Sequence, residues 1–274
     1  MSKHLFLFST LLLSCFFAFG QNTYLQQGSE EYHLLNRLET KTGRLSNRLF
    51  LNTQPLARQD AVNFLIEEKG KAFNSEFSNV DNFNINRALS ISGEWIKPNA
   101  DGAVTSTNAL FNTFYKKQPD FIYVNKPGFF LSVNPVLSVQ AAFEKDKERS
   151  LLYSATQGLE FRGRIKDRVG FYFYATNNYD EPPTYINDYI NKFGAIPGAG
   201  HYRKTMNGYQ YFQFRSYADV ALIKDRINLT VGYDRHFIGD GMRSLFLSDF
   251  SEGAAFVRLN TKIWKFNYQN LFME

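Results

Sequence analysis

The chain has 274 residues, a formal net charge of +5, one cysteine and four histidines. One cysteine excludes an internal disulfide framework and a thiolate metal cluster. The mild positive excess is spread along the chain with no dense basic tract, which gives no support to a nucleic-acid partner. Aromatic residues make up 17% of the chain, 28 of them Phe, yet mean hydropathy is only −0.35. That combination fits many half-apolar strands better than a spanning helix.

Residues 1–20 open with Met1-Ser2-Lys3-His4 and run apolar from Leu5 to Phe19, closing on Gly20. A basic start, an apolar core of about 15 residues and a small residue at the exit read as an export signal, since a spanning helix needs about 20. Leu12-Leu13-Ser14-Cys15 resembles a lipidation site, but the apolar run continues past Cys15, so the cut is placed after Gly20. Loss of residues 1–20 removes Lys3 and leaves +4.

Residues 21–97 carry three helical patterns and are expected to form a periplasmic bundle, read either as a small helical domain with its own core or as packed against the periplasmic end of the barrel. Ser29 caps the first, with Glu30 and Glu31 in its opening turn and Thr42-Gly43 at its close. The second runs over Arg58–Lys69 after Pro55. The third covers Asn79–Trp95, with Val80, Phe83, Ile85, Leu89, Ile91 and Trp95 as its apolar stripe. Residues 98–128 lack a clear period and read as a linker, with a short strand near Phe121–Tyr123.

From 129 onward the pattern has period two. Phe129–Phe143 alternates, although Pro135 requires an edge or a bulge. In Leu151–Ile165, Tyr153, Leu159 and Phe161 share one parity, while Ser154, Thr156, Glu160, Arg162 and Arg164 take the other. The turn Ile165-Lys166-Asp167-Arg168 leads into Val169–Thr176, where Phe171 and Phe173 alternate with Tyr172 and Tyr174. The turn recurs as Ile223-Lys224-Asp225-Arg226, between a run holding Arg215, Tyr217 and Asp219 and one holding Asp234 and His236. Asn260-Thr261-Lys262 is read as a third corner. Arms of roughly 10–14 residues exceed the usual 5–6 and match the 9–11 of a tilted spanning strand. Two long connections, Asn177–Gly208 with a helix over Ile186–Phe193 and Ile238–Glu252 with the turn Gly239-Asp240-Gly241, fall at the end opposite the short turns.

The expected fold is therefore mainly β: an antiparallel transmembrane β-barrel over 129–274, preceded by a small N-terminal α-helical bundle. About seven strands are counted, and a closed single-chain barrel needs an even number of at least 8, so the barrel is expected to be the N-terminal part of a larger one. Three stretches, Gly28–Leu38, Gly93-Glu94-Trp95 and Phe237–Phe250, together resemble the Wzi-like capsule-assembly outer-membrane family, which includes gliding-motility-associated members. The resemblance implies an N-terminal helical bundle on a large barrel, a role in attaching or assembling surface polysaccharide, and no catalytic motif.

Candidate ligand contacts are the charged residues on the wet parity and on the second long connection: Glu160, Arg162, Arg164, Arg215, Asp219, Asp234, His236, Asp240 and Arg243. Tyr172, Tyr174, Tyr217 and Arg258 share that lining. Arg offers paired donors to carboxylates of acidic sugars, and Tyr a flat face with a polar tip. The competing reading of the same residues is a structural salt-bridge lining. No cofactor or metal is implied, since His33, His201 and His236 have no ligand spacing. The expected partners are outer-membrane lipid and surface polysaccharide. The rivals are a general porin, a secreted sugar-binding β-sandwich, and a hydrolase pairing His236 with Ser244 or Ser248.

Overall fold

Among the described residues eight strands run back and forth in one antiparallel sheet, and a two-residue ninth, Arg203–Lys204, lies against the strand Tyr209–Ile223. The coordinates are those of a computed structural model that describes residues 23–71, 77–96, 113–145, 151–166, 168–223, 226–241, 244 and 246–274. Residues 1–20, read as an export signal, Arg243 and the turn residues Asp167, Lys224 and Asp225 lie outside the described residues.

The strands are β1 (Thr53–Gln54), β2 (Ile122–Lys126), β3 (Phe129–Phe143), β4 (Leu151–Ile165), β5 (Val169–Asp180), β6 (Arg203–Lys204), β7 (Tyr209–Ile223), β8 (Ile227–Asp234), β9 (Phe237–Ile238), β10 (Ala254–Ile263) and β11 (Phe266–Met273). Among the described residues the sheet is open, in the order β11-β10-β8-β7-β5-β4-β3-β2, with β2 and β11 at its edges. The coarse expectation of a β-rich antiparallel fold with short helices is what the structure has, and closure into a barrel is not part of it. β2 falls inside the stretch read as a linker and belongs to the sheet through its pairing with β3. Pro135 lies two residues past Val133, the last β3 residue with a β2 partner, so it occupies a stretch paired only with β4. The third corner is corrected: Asn260–Lys262 are paired strand residues, and the chain turns at Trp264 and Lys265.

Side-chain polarity is inverted relative to a soluble sheet. Leu137, Val139, Phe212, Val231, Val257 and Phe272 are exposed, whereas Arg162, Arg215, Asp219, Thr230, Asp234 and Arg258 are buried on the opposite face. Cross-strand rows on the apolar face hold no charge over the middle of the sheet. One row is Leu131, Gly163, Phe171, Ala218, Val231, Val257 and Phe272, and the next is Val133, Phe161, Phe173, Ser216, Tyr233 and Ala255. Phe161 stacks on Phe173 with centroids 4.7 Å apart.

Helices α1 (Glu30–Thr42), α2 (Arg58–Lys71) and α3 (Asn79–Ile91) form the N-terminal body, and α4 (Thr184–Phe193) lies in the first long connection. Gly43 closes α1 in the left-handed conformation at φ +61°, which an added Cβ would strain. A capping box opens α3: Ser78 Oγ accepts from the Asp81 N–H at 3.2 Å, and Asp81 Oδ2 accepts from the Ser78 N–H at 2.9 Å. Asp81 also takes Arg37 Nε at 3.0 Å and the Lys41 ammonium. The body's core joins Leu35, Leu38, Val62, Leu65, Ile85 and Leu89. Two expected stripe residues face outward instead, Val80 and Phe83 at 61% and 66% exposure, because Ile85, Ala88 and Leu89 turn the buried side of α3 elsewhere.

The body meets the sheet through polar pairs, among them Asp60 with Lys262 and Glu94 with Arg162. It lies on the polar face, toward the short-turn end, where the buried charges need partners.

Candidate functional site: the polar face and the segments seated on it

Three polar clusters join the sheet to the N-terminal body. In the first, Arg162 on β4 donates from Nε to Glu94 Oε1 at 3.1 Å and from Nη2 to the Ile91 carbonyl at 2.7 Å, and its Nη2 lies 3.6 Å from Asp120 Oδ1. Arg58, at the start of α2, sits 3.9 Å from the same Glu94 oxygen and donates to Ser92 Oγ at 2.9 Å. Burial alone would raise the Glu94 carboxyl, but Arg162 and Arg58 outweigh it and hold it below the usual carboxylate value. Glu94 reaches this position on the one-turn helix Gly93–Trp95, where a Cβ on Gly93 would collide with the Lys117 ammonium.

The second cluster is centred on Asp219 of β7. Tyr24 Oη donates to its Oδ2 at 2.6 Å, Thr230 Oγ1 to the same oxygen at 2.8 Å, and Asn228 Nδ2 to Oδ1 at 3.1 Å. The Tyr24 N–H donates to Tyr217 Oη at 2.7 Å. Arg258 on β10 lies 4.3 Å from the centre of the Tyr24 ring and donates to the Pro55 carbonyl at 3.4 Å. Burial first, and then the Asp219 charge, push the Tyr24 hydroxyl above its ordinary range, so it remains a donor. Residues 23–25 are held in place by backbone bonds to the segment before α2, Leu25 N–H to the Leu56 carbonyl at 2.9 Å and Arg58 N–H to the Thr23 carbonyl at 2.7 Å.

The third cluster pairs Arg215 with Asp234 in a fork, Nε to Oδ1 at 2.5 Å and Nη2 to Oδ2 at 3.3 Å. Beyond Asp234 the chain leaves the sheet and folds inward. β9 pairs with β1, Thr53 opposite Ile238 and Gln54 opposite Phe237, and the Gly239 N–H donates to the Asn52 carbonyl at 2.9 Å. His236 is thereby buried edge-on against Phe256, with centroids 4.3 Å apart. Burial and the nearby Arg258 push its imidazole down to about 3, so it is neutral.

The nine expected contacts therefore divide. Arg162, Arg215, Asp219, Asp234 and His236 are buried under the body or in ion pairs. Arg164 lies 5.2 Å over the Trp95 ring, and Glu160 is half-buried one row from Arg162. Asp240 is exposed and lines an open groove of about 600 Å³ with Asn36, Asn47, Asn52 and Lys265, while Arg243 lies outside the described residues. Among the described residues no hydrogen bond joins His236 to Ser244 or Ser248: the Ser244 hydroxyl donates to the Ile238 carbonyl, and the Ser248 hydroxyl accepts from the Phe250 N–H at 3.2 Å.

The residues the sequence reading missed are the inner partners Tyr24, Arg58, Glu94 and Asp120. The one local signal for them was the Gly93-Glu94-Trp95 stretch. The two long connections are tied to each other, with Arg235 Nη1 donating to the Gly198 and Asp249 carbonyls at 3.2 and 3.3 Å. Among the described residues no group of three or more His, Cys, Asp or Glu could hold a metal ion, and no helix is long and apolar enough to cross a membrane. Comparisons with family models, with curated proteins and with solved structures found no match to this chain.

Proposed function

We propose that this chain is an outer-membrane protein whose sheet meets lipid with its apolar face, carries its N-terminal helices on the periplasmic side, and serves the attachment or assembly of surface polysaccharide without catalysis. The observation that supports the membrane reading is the placement of polarity: side chains that water would reject are exposed, and charges are buried. On β3 the uncharged outward run extends over the whole strand, from Phe129 to Phe143, and on β7 the run from Phe212 to Leu222 spans ten residue steps. Ten residue steps cover about 33 Å of strand. At the tilt of about 40° usual for spanning strands, that becomes about 25 Å of height, the apolar band of an outer-membrane barrel.

A soluble sugar-binding sandwich is less well supported, because it would bury these side chains against a second sheet. A diffusion pore is also less well supported, because the N-terminal body occupies the polar face that an open channel would leave to water. The polysaccharide role rests on the resemblance of Gly28–Leu38, Gly93–Trp95 and Phe237–Phe250 to the Wzi-like family. Carbonate washing of membranes tests the first part: retention in the pellet supports it, and release overturns it. Deleting the gene and measuring cell-bound against shed polysaccharide tests the second, and an unchanged ratio would sink it.

A further inference from the structure

The tight turns β2–β3, β4–β5, β7–β8 and β10–β11 lie on one side of the sheet and are tied together in pairs. The Lys166 N–H donates to the Gly128 carbonyl at 2.6 Å, which sets the β4–β5 turn against the β2–β3 turn. The Lys262 N–H donates to the Arg226 carbonyl at 2.7 Å, which sets the β7–β8 turn against the end of β10, next to the corner of Trp264 and Lys265. Lys126, Lys166, Arg226 and Lys265 are all exposed, and Trp264 is 81% exposed with the Lys265 ammonium 5.4 Å from its ring centre. In sequence, Lys166-Asp167-Arg168 and Lys224-Asp225-Arg226 each set two cations against one carboxylate. Of the nearby acids, Asp60 is paired with Lys262, and Asp240 shares the groove lined by Lys265.

Two of these positions hold large side chains where the backbone favours glycine or asparagine. Lys166 has φ +50° and Trp264 has φ +54°. The uncharged band begins immediately beside them, at Ile165, Val169 and Ile263.

We propose that this rim of turns binds the anionic headgroups of a phospholipid leaflet, with Trp264 seated at headgroup depth. The inference rests on the reading that the apolar band faces lipid. A cation at an anionic surface gains roughly fivefold in partitioning. Long stems let Lys126 and Lys166 keep contact with the apolar boundary while their ammonium groups reach the phosphates. Indole suits the same depth, apolar on its faces and polar at its N–H.

The test uses the full chain, purified in detergent and offered to vesicles of phosphatidylcholine alone or mixed with phosphatidylglycerol. The expected result is stronger partitioning into the mixed vesicles. The preference falls by up to about fivefold for each of Lys126→Gln, Lys166→Gln, Arg226→Gln and Lys265→Gln, and is lost in the quadruple variant. Lys166→Arg keeps it. Salt at about 1 M removes it from the unaltered protein, since screening then acts within about 3 Å, so the result does not depend on the quadruple variant folding. Equal partitioning into both vesicle types, or a preference that survives salt and all four substitutions, overturns the proposal. Carbonate-resistant retention in pure phosphatidylcholine separates the two readings. If it holds without a phosphatidylglycerol preference, only the rim proposal fails; if it is lost, the lipid-facing sheet fails and takes the rim with it.

Discussion

Arg162 and Glu94 lie 68 positions apart in the chain and meet at 3.1 Å, each with its side chain at most 4% exposed. Glu94 also faces Arg58, and Arg162 faces Asp120, so the contact is one link of a buried chain of alternating charge. Removing one member leaves its partner charged in a dry interior, which costs about 3–5 kcal/mol. Arg162→Met is expected to lower stability by that amount in urea unfolding. Paired with Glu94→Gln it should cost clearly less than the two separate losses added together, and strict additivity would rule out the pairing.

Tyr24 is the contact nearest the start of the described chain that reaches across to the sheet. Tyr24→Phe keeps the ring under Arg258 and removes the hydroxyl that donates to Asp219 and lies 3.1 Å from Thr230 Oγ1, while Asp219 retains Asn228 and Thr230. A hydrogen bond to a charged group contributes about 1.5–3 kcal/mol. The expected loss lies in that range, read from the unfolding midpoint at an unchanged slope. Tyr24→Ala should cost more and should expose the Ala57–Arg58 peptide to protease.

His236 predicts an acid sensitivity of definite sign. Its folded value is about 3 against an ordinary 6.5, because burial and Arg258 disfavour the imidazolium. Above 6.5 the group is neutral in both states and its contribution is complete. As pH falls from 6.5 toward 3, the unfolded chain binds a proton that the folded one refuses, and stability declines by at most about 1.4 kcal/mol per pH unit. Glu94 and Asp81, both held low, add loss in the same direction once pH drops below the ordinary carboxylate range. Unfolding free energy measured from pH 7 to 4 should be flatter in His236→Gln. An identical slope in the two proteins would remove His236 as the cause.

Val231 lies in the middle of the uncharged outward rows and is 48% exposed. On a watery surface a lysine there would be nearly neutral. Facing lipid near the midplane it costs about 2–4 kcal/mol. Val231→Lys is therefore expected to lower the folded fraction in bilayers by that amount, read from folding titrations into vesicles. Indifference to the substitution would argue that water covers this face.

Gly232 takes the inward parity of β8, and a Cβ there would collide with the Ser216 carbonyl and the Tyr217 backbone. Backbone cannot swing aside as a side-chain tip can, so Gly232→Ala is expected to cost about 1–3 kcal/mol. Circular dichroism of the thermal transition would check this.

The sequence by itself determined which residues share a face. Alternation has period two, so Arg162, Tyr172, Tyr217 and Thr230 had to lie opposite Phe161, Phe173, Phe214 and Val231 once the strands formed, and the Lys-Asp-Arg turns placed the hairpins. The close of α1 at Gly43 was legible for the same reason, since a helix end acts through neighbours within four residues, whereas Ser29 at its start makes no side-chain cap bond and the Ser78–Asp81 box of α3 appears only in the structure. Tertiary structure alone decided what the polar face meets. Tyr24 and Asp219 are 195 positions apart, and Arg258 and Pro55 are 203. A charged side chain on a strand reads the same whether it faces a ligand, water or a buried counter-charge. The inward turn of the chain after Asp234 was hidden as well, because pairing β9 with β1 uses backbone groups that every residue carries, and no side-chain pattern announces which two short segments will share them.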